Sequence, residues 1–277
     1  MKHAWLAGCA LVVSAGQAMA QPVTISGGIT GTPNVINYDP SLAPTSYLLS
    51  GGYTKQNVGG STDFHNTHVT GGNLRSSSVG CSTGAVMFNC STGWGSVALN
   101  TPAAGRGSLE LYYAGGIANA TGFDLFVFEN GTVPSASELF YTSIYSGGVW
   151  SEMRYVTPQA YKAGSGSTGF LTFLDFSVWG LGTDAVIDGV RFVGGLAGDM
   201  GTYDALTGSW VVNANFSGNA VMKNYQGNDF GAADYDADLL LVGVLSGRPT
   251  AVPEPATLAL LAVGMSGVML RYRRRQN

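Results

Sequence analysis

Three carboxylates recur at every second position in Asp234-Tyr-Asp-Ala-Asp238. On a strand all three share one face. Like charges that close repel unless water or a cation lies between them, and calcium takes such oxygen ligands. Leu239 and Leu245 stand where an EF-hand loop needs glycine and glutamate, so an EF-hand is excluded. The bland reading is a solvated acidic loop before the last strand. Asp124, Glu129 and Asn130 flank an apolar run, and Asp188 sits on a later one. A structural calcium ion is the candidate cofactor for that set too. Against it stands a simple turn, which Asn130-Gly131 signals by itself. Asp63-Phe-His-Asn-Thr-His68 has its histidines three apart, but glycines on both sides argue for an exposed polar loop. No G-x-S-x-G, H-E-x-x-H or Walker loop is present, so no nucleophile is visible and the chain is expected not to be an enzyme. Carboxylate pairs for glycoside cleavage converge only in space, which keeps a secreted glycan hydrolase as a distant alternative. Tyr112, Tyr113, Trp150, Trp179 and Trp210 could stack on sugar rings, although aromatics on strands usually pack in a core.

The ends of the chain say where such residues would work. Lys2 and His3 precede an apolar stretch from Trp5 to Ala15, and Ala18-Met19-Ala20 is a small-x-small cleavage site. Residues 1–20 therefore read as a signal peptide cut between Ala20 and Gln21. Leu6-Ala7-Gly8-Cys9 resembles a lipoprotein box, but too few apolar positions precede it. Cys81 and Cys90 are the two cysteines left after cleavage. In an oxidising compartment an even pair at that spacing is expected to close one local disulfide. Residues 21–252 hold 8 Lys and Arg against 16 Asp and Glu, a net charge of −8. That balance argues against nucleic acid and anionic lipid as partners.

The other end has three parts in order. Val252, Pro253, Glu254 and Pro255 form a stiff extended segment, because each proline fixes its own φ and biases the residue before it. An uncharged run, 256–270, follows. It reads as a transmembrane helix, yet 15 residues reach only about 22 Å against a hydrocarbon core of about 30 Å. Arg271, Arg273, Arg274 and Arg275 then act as a stop-transfer cluster on the cytoplasmic side. A short span with a rigid entry suits a segment held in the inner membrane only transiently. Residues 252–275 resemble the PEP-CTERM sorting signal of Gram-negative bacteria. The resemblance implies recognition by an integral-membrane exosortase, removal of the tail, and delivery to the outer surface or extracellular matrix.

Residues 21–250 must carry whatever is delivered. Short β-branched and aromatic runs recur between turn residues, and amphipathic helices are absent. Strands are expected over 108–114, 123–129, 140–145, 149–155, 170–178, 185–193, 210–216 and 239–245, with Ser146-Gly147-Gly148 as a turn. Several of these are apolar on both faces, as strands between two layers must be. Residues 21–107 are rich in Gly, Ser, Thr and Asn and read as loops and short strands on the same core. The expected fold is all-β, an antiparallel β-sandwich or jelly roll, with 108–194 as its clearest part. Gly122–Gly131 together with Ile187–Phe192 is similar to a β-sandwich domain of bacterial surface proteins with sorting tails, and through it to the jelly rolls of carbohydrate-binding modules. That likeness covers about 108–194. The resulting expectation is a structural or adhesive surface protein in an exopolysaccharide or biofilm setting, with exosortase as processing partner. The alternative is a carbohydrate-binding module, which would align aromatics on one exposed face.

Overall fold

The computed structural model describes residues 23–25, 29–39, 42, 44–57, 95–101, 105–131, 137–163, 168–230, 235 and 237–245. The expected signal cleavage at Ala20, the Cys81–Cys90 pair, the two loop histidines, Asp234, Asp236 and the whole 251–277 tail lie outside them. Among the described residues no helix is long and apolar enough to cross a membrane.

The chain runs through β1 (Val23–Ile25), β2 (Ile29–Gly31), β3 (Ile36–Tyr38), β4 (Ser46–Gly51), β5 (Thr54–Asn57), β6 (Gly95–Ala98) and β7 (Asn100–Thr101). It continues through β8 (Gly105–Ala118), β9 (Leu125–Gly131), β10 (Phe140–Ser146), β11 (Val149–Trp150), β12 (Met153–Tyr155) and β13 (Ala160–Ala163). The remaining strands are β14 (Thr168–Leu174), β15 (Val186–Gly194), β16 (Met200–Asp204), β17 (Ser209–Val212), β18 (Ala220–Val221) and β19 (Asp238–Val244). Every pairing between them is antiparallel. The larger sheet has the order β18-β16-β17-β12-β10-β15-β8-β4, and the smaller one β2-β13-β14-β9-β19-β6-β5.

Period-two alternation on β9 explains how the sheets stack. Leu125 and Val127 face a shared core with Leu109 and Leu111 of β8, Ile144 of β10, and Val190 and Phe192 of β15. Phe126 and Phe128 point the other way, onto Leu171 and Phe173 of β14 and under Ile36 and Tyr38 of β3. The smaller sheet is thus covered on both faces, which is why its central strands are apolar on both. Each phenylalanine buried this way contributes about 1.5–3 kcal/mol. Tyr38 and Phe126 meet edge to face at 5.5 Å.

One expected strand is split and two end early, each for a local reason. The return run after the 146–148 turn splits into β11 and β12. Tyr145 faces Trp150 while Thr142 faces Arg154, so one extra residue sits on the return strand. Ser151 fills that bulge, its hydroxyl accepting from the Ile144 amide at 2.9 Å. The strand expected over 170–178 stops at Leu174. There the Asp175 carboxylate caps a 3-10 turn, Phe176–Trp179, by accepting from the Ser177 amide. The strand expected over 210–216 stops at Val212, because the Asn213 side chain accepts from the amides of Asn215 and Ser217, both at 3.0 Å.

That last turn has a large consequence. It sends the chain back across the outer face of the larger sheet. Phe216, Met222, Phe230 and Tyr235 pack there against Tyr141, Tyr155 and Val193. The Tyr155 hydroxyl donates to the Lys223 carbonyl at 3.0 Å. One half of that outer face is covered in this way, and among the described residues nothing covers the other.

Candidate functional site

The open half is built by strand alternation on β8. Leu109, Leu111 and Tyr113 face the core, so Glu110 and Tyr112 face outward. Pairing lays two rows across the sheet. The first runs Ser46, Tyr112, Gly189, Tyr145, Trp150, and the second Leu48, Glu110, Arg191, Ser143. Gly189 is what lets the first row close up. A Cβ there would lie 2.9 Å from the Leu111 carbonyl and 3.2 Å from the Tyr112 ring. With that space left to Tyr112, the three rings converge. Tyr145 and Trp150 lie 5.1 Å apart, Tyr112 and Trp150 6.2 Å, and Tyr112 and Tyr145 6.4 Å. The Tyr112 contacts are edge to face, the preferred geometry of aromatic pairs. Exposed Leu48 and Val149 flank the cluster.

Charge completes the arrangement. Glu110 accepts from Arg191 Nε at 2.9 Å with one oxygen and from the Tyr112 hydroxyl with the other. That carboxylate pushes the Tyr112 phenol up to about 12, chiefly because the hydroxyl is held as a donor. The Arg191 guanidinium lies 4.0 Å above the Trp150 ring, a cation–π contact. Among the described residues Arg191 hydrogen-bonds through Nε alone. Its terminal nitrogens, donors only, remain for a ligand. The site is therefore a small aromatic floor with one oriented guanidinium and no net charge.

A second cluster of the same parts lies under the covered half. Arg106 forms a two-pronged pair with Asp199, 2.5 Å from Nη1 to Oδ2, and gives a further bond to the Gly194 carbonyl at 3.1 Å. Asp199 also accepts from the Tyr141 hydroxyl at 2.5 Å and the Leu196 amide at 2.8 Å. The Phe216 ring sits 3.4 Å from the Arg106 guanidinium. Burial drives the Tyr141 phenol far above its ordinary value. A third cluster surrounds Arg154. It donates to Asp204 at 2.9 Å, to Thr207 and Ser209 at 3.0 Å each, and to Glu152. The Arg154 hydrogen bond, reinforced by one from Thr207, lowers the Asp204 carboxyl to about 2.

The oxygen ligands expected for calcium take up separate posts. Asp124 lies just before β9 and Glu129 near its far end, about 17 Å apart at strand rise. The Asp124 carboxylate accepts from the amides of Ala120 at 2.9 Å and Phe176 at 2.8 Å, fastening the loops at one end of the sandwich. Glu129 accepts from the Glu138 amide, and Glu138 in turn accepts from the Asp238 amide at 2.6 Å. Asp188 belongs to the other sheet, at the irregularity between Ile187 and Gly189. Among the described residues no three His, Cys, Asp or Glu side chains group so as to hold a metal ion. Of the five aromatics with stacking potential, Tyr112 and Trp150 reach the open face. Tyr113 is in the core, and Trp179 donates to the Glu152 carbonyl at 3.0 Å. Trp210 lies on the covered half of the same face, opposite Tyr155, and packs against exposed Tyr203 at 5.1 Å. Tyr145, Glu110 and Arg191 were not foreseen. The 146–148 turn held the clue for Tyr145, since a hairpin there sets it opposite Trp150. Nothing local marked Glu110 and Arg191, which are 81 residues apart.

Residues 251–275 match the family model of the PEP-CTERM protein-sorting motif. No curated protein and no solved structure shows significant similarity to the chain. The chain thus carries a PEP-CTERM sorting motif at its C-terminal end. That motif implies exosortase-dependent sorting to the surface, and proteins that carry it are exported and surface-associated.

Proposed function

We propose that this chain is a structural or adhesive component of the extracellular matrix, delivered by an exosortase and working by binding rather than by catalysis. The observation that carries the reading is the sorting motif at 251–275. In this scheme the signal peptide ends at Ala20, the tail pauses in the inner membrane over 256–270, and Arg271 to Arg275 hold its cytoplasmic end. The exosortase then acts at or near Val252 to Pro255 and releases the β domain into an exopolysaccharide setting. A binding role fits the carboxylates described above. Asp199, Glu110, Asp204 and Asp124 are spent on arginines, a tyrosine and backbone amides, so none of them is posed as a free acid or base facing a cleft.

Mass spectrometry of the surface-exposed protein from its host, with and without the exosortase, tests this reading. The expected result is a mature form that begins at Gln21 and lacks 256–277. Intact 256–277 on that form would falsify the sorting scheme. The carbohydrate-binding alternative has its own supporting observation in the open aromatic face, and can be true within the same matrix setting.

A further inference from the structure

We infer that Tyr112, Tyr145, Trp150 and Arg191 form a binding site for neutral pyranose sugars, which deepens the adhesive reading above and rests on it for its biological setting. A pyranose ring has an apolar face of C–H groups and a rim of hydroxyls. The floor of three converging rings offers faces and edges to the first. The terminal nitrogens of Arg191 offer directed donors to the second. Further hydroxyls border the floor on the same face: Ser46 opposite Tyr112, and the Ser50–Ser108 pair, bonded to each other at 2.7 Å.

The comparison with Arg106 shows that this donor surplus belongs to the Arg191 site and is not a general habit of arginines on this sheet. Both are part-exposed, with 19% of the Arg106 side chain and 27% of the Arg191 side chain accessible. Among the described residues Arg106 nevertheless uses both terminal nitrogens, and Arg191 uses neither. A purely structural arginine on this face finds partners for those groups.

Charge selects among occupants. Glu110 neutralises Arg191, and its two oxygens are already taken. The chain between the sorting segments carries −8. A uronic-acid polymer or an anionic bilayer would meet that field as repulsion, whereas a neutral sugar would not.

The test uses the full chain purified in detergent and measures equilibrium binding to three probes. These are neutral β-linked hexose oligosaccharides, an alginate oligomer, and soluble glycerol phosphate as the head group of an anionic lipid, a probe the apolar tail cannot enter. The expected result is binding to the neutral sugars only, weakened about tenfold or more by Trp150→Ala and several-fold by Arg191→Lys. Arg191→Lys keeps the charge beside Glu110 and loses the fork, so it reports on the site even if Trp150→Ala fails to fold. Neutral-sugar binding that both folded variants retain at full strength overturns the site. So does an absence of neutral-sugar binding, or binding confined to alginate or to glycerol phosphate. The assay does not depend on the tail: failed sorting leaves it intact, and a failed site leaves tail cleavage intact.

Discussion

The outer face of the larger sheet carries one chemical unit twice. Each copy has an arginine, a carboxylate, a tyrosine hydroxyl that donates to that carboxylate, and an aromatic ring against the guanidinium. Around Arg106 the return segment after Asn213 closes over the unit, and both terminal nitrogens of the guanidinium are used. Phe216 is held at a φ of 54°, in the left-handed region, so that its ring can sit there. Such a residue costs about 1–2 kcal/mol in backbone energy, which the packing must offset. Around Arg191 no described segment closes over, and neither terminal nitrogen is used among the described residues. The same residue types thus make a clamp in one place and a recognition surface in the other. The difference lies in what the chain does next, not in the unit itself.

The comparison breaks most sharply at Asp199. Asp199→Ala strands both a part-buried arginine and the fully buried Tyr141 hydroxyl. We expect a loss of about 3–5 kcal/mol in urea denaturation, with sugar binding retained by whatever fraction stays folded. A loss below about 1 kcal/mol would mean the covered unit is no clamp. Gly194→Ala probes the same clamp through the backbone. The added methyl would come within 2.2 Å of the Leu99 carbonyl, and the Gly194 carbonyl accepts from Arg106. A cost of about 1–3 kcal/mol is expected from overpacking, read as a lower melting midpoint.

The open unit should respond in the opposite way. Glu110→Gln ought to cost only about 1 kcal/mol or less, because its partners are part-exposed. It should nonetheless loosen Arg191 and weaken sugar binding severalfold. A variant that is destabilised as much as Asp199→Ala would make the two units alike and remove the argument from spare donors.

The smallest effects come with pH. Tyr112 is held protonated in the fold, with its value raised from 10.0 to about 12. Its contribution is therefore complete below pH 10 and is lost as pH rises through about 12. Asp204 runs the other way, lowered from 3.8 to about 2. Its contribution is present above pH 3.8 and fades as pH falls through about 2. Replacing Tyr112 by Phe should make the alkaline limb of a denaturation-midpoint profile shallower, buried tyrosines such as Tyr141 keeping the rest of it, and leave the acid limb unchanged.

Much of the scaffold was legible because strand burial is a local, period-two signal. The two-sided apolar character of Leu125–Phe128 announced a strand between layers, and the structure puts it there. Strand ends were misjudged where a side chain intervened. Ser151, Asp175 and Asn213 each replace a backbone partner with their own oxygen, and apolar patterning does not register that substitution. The return segment, with Met222 and Phe230 on Tyr141 and Tyr155, carries no periodic pattern to read. Of the aromatics singled out, Tyr112 and Tyr113 are neighbours with opposite fates, one on the open face and one in the core.

What the sequence by itself determined is the address. A sorting signal is read as a linear string by a membrane enzyme, so its residues must be contiguous, and 251–275 can be recognised with no fold at all. The site on the delivered domain is of the other kind. Tyr112, Tyr145, Trp150 and Arg191 come from four strands and meet only because antiparallel register aligns them and Gly189 leaves the space. Whether each of two equivalent arginine units became a clamp or a surface was decided by a turn at Asn213, through the path of the chain that follows it.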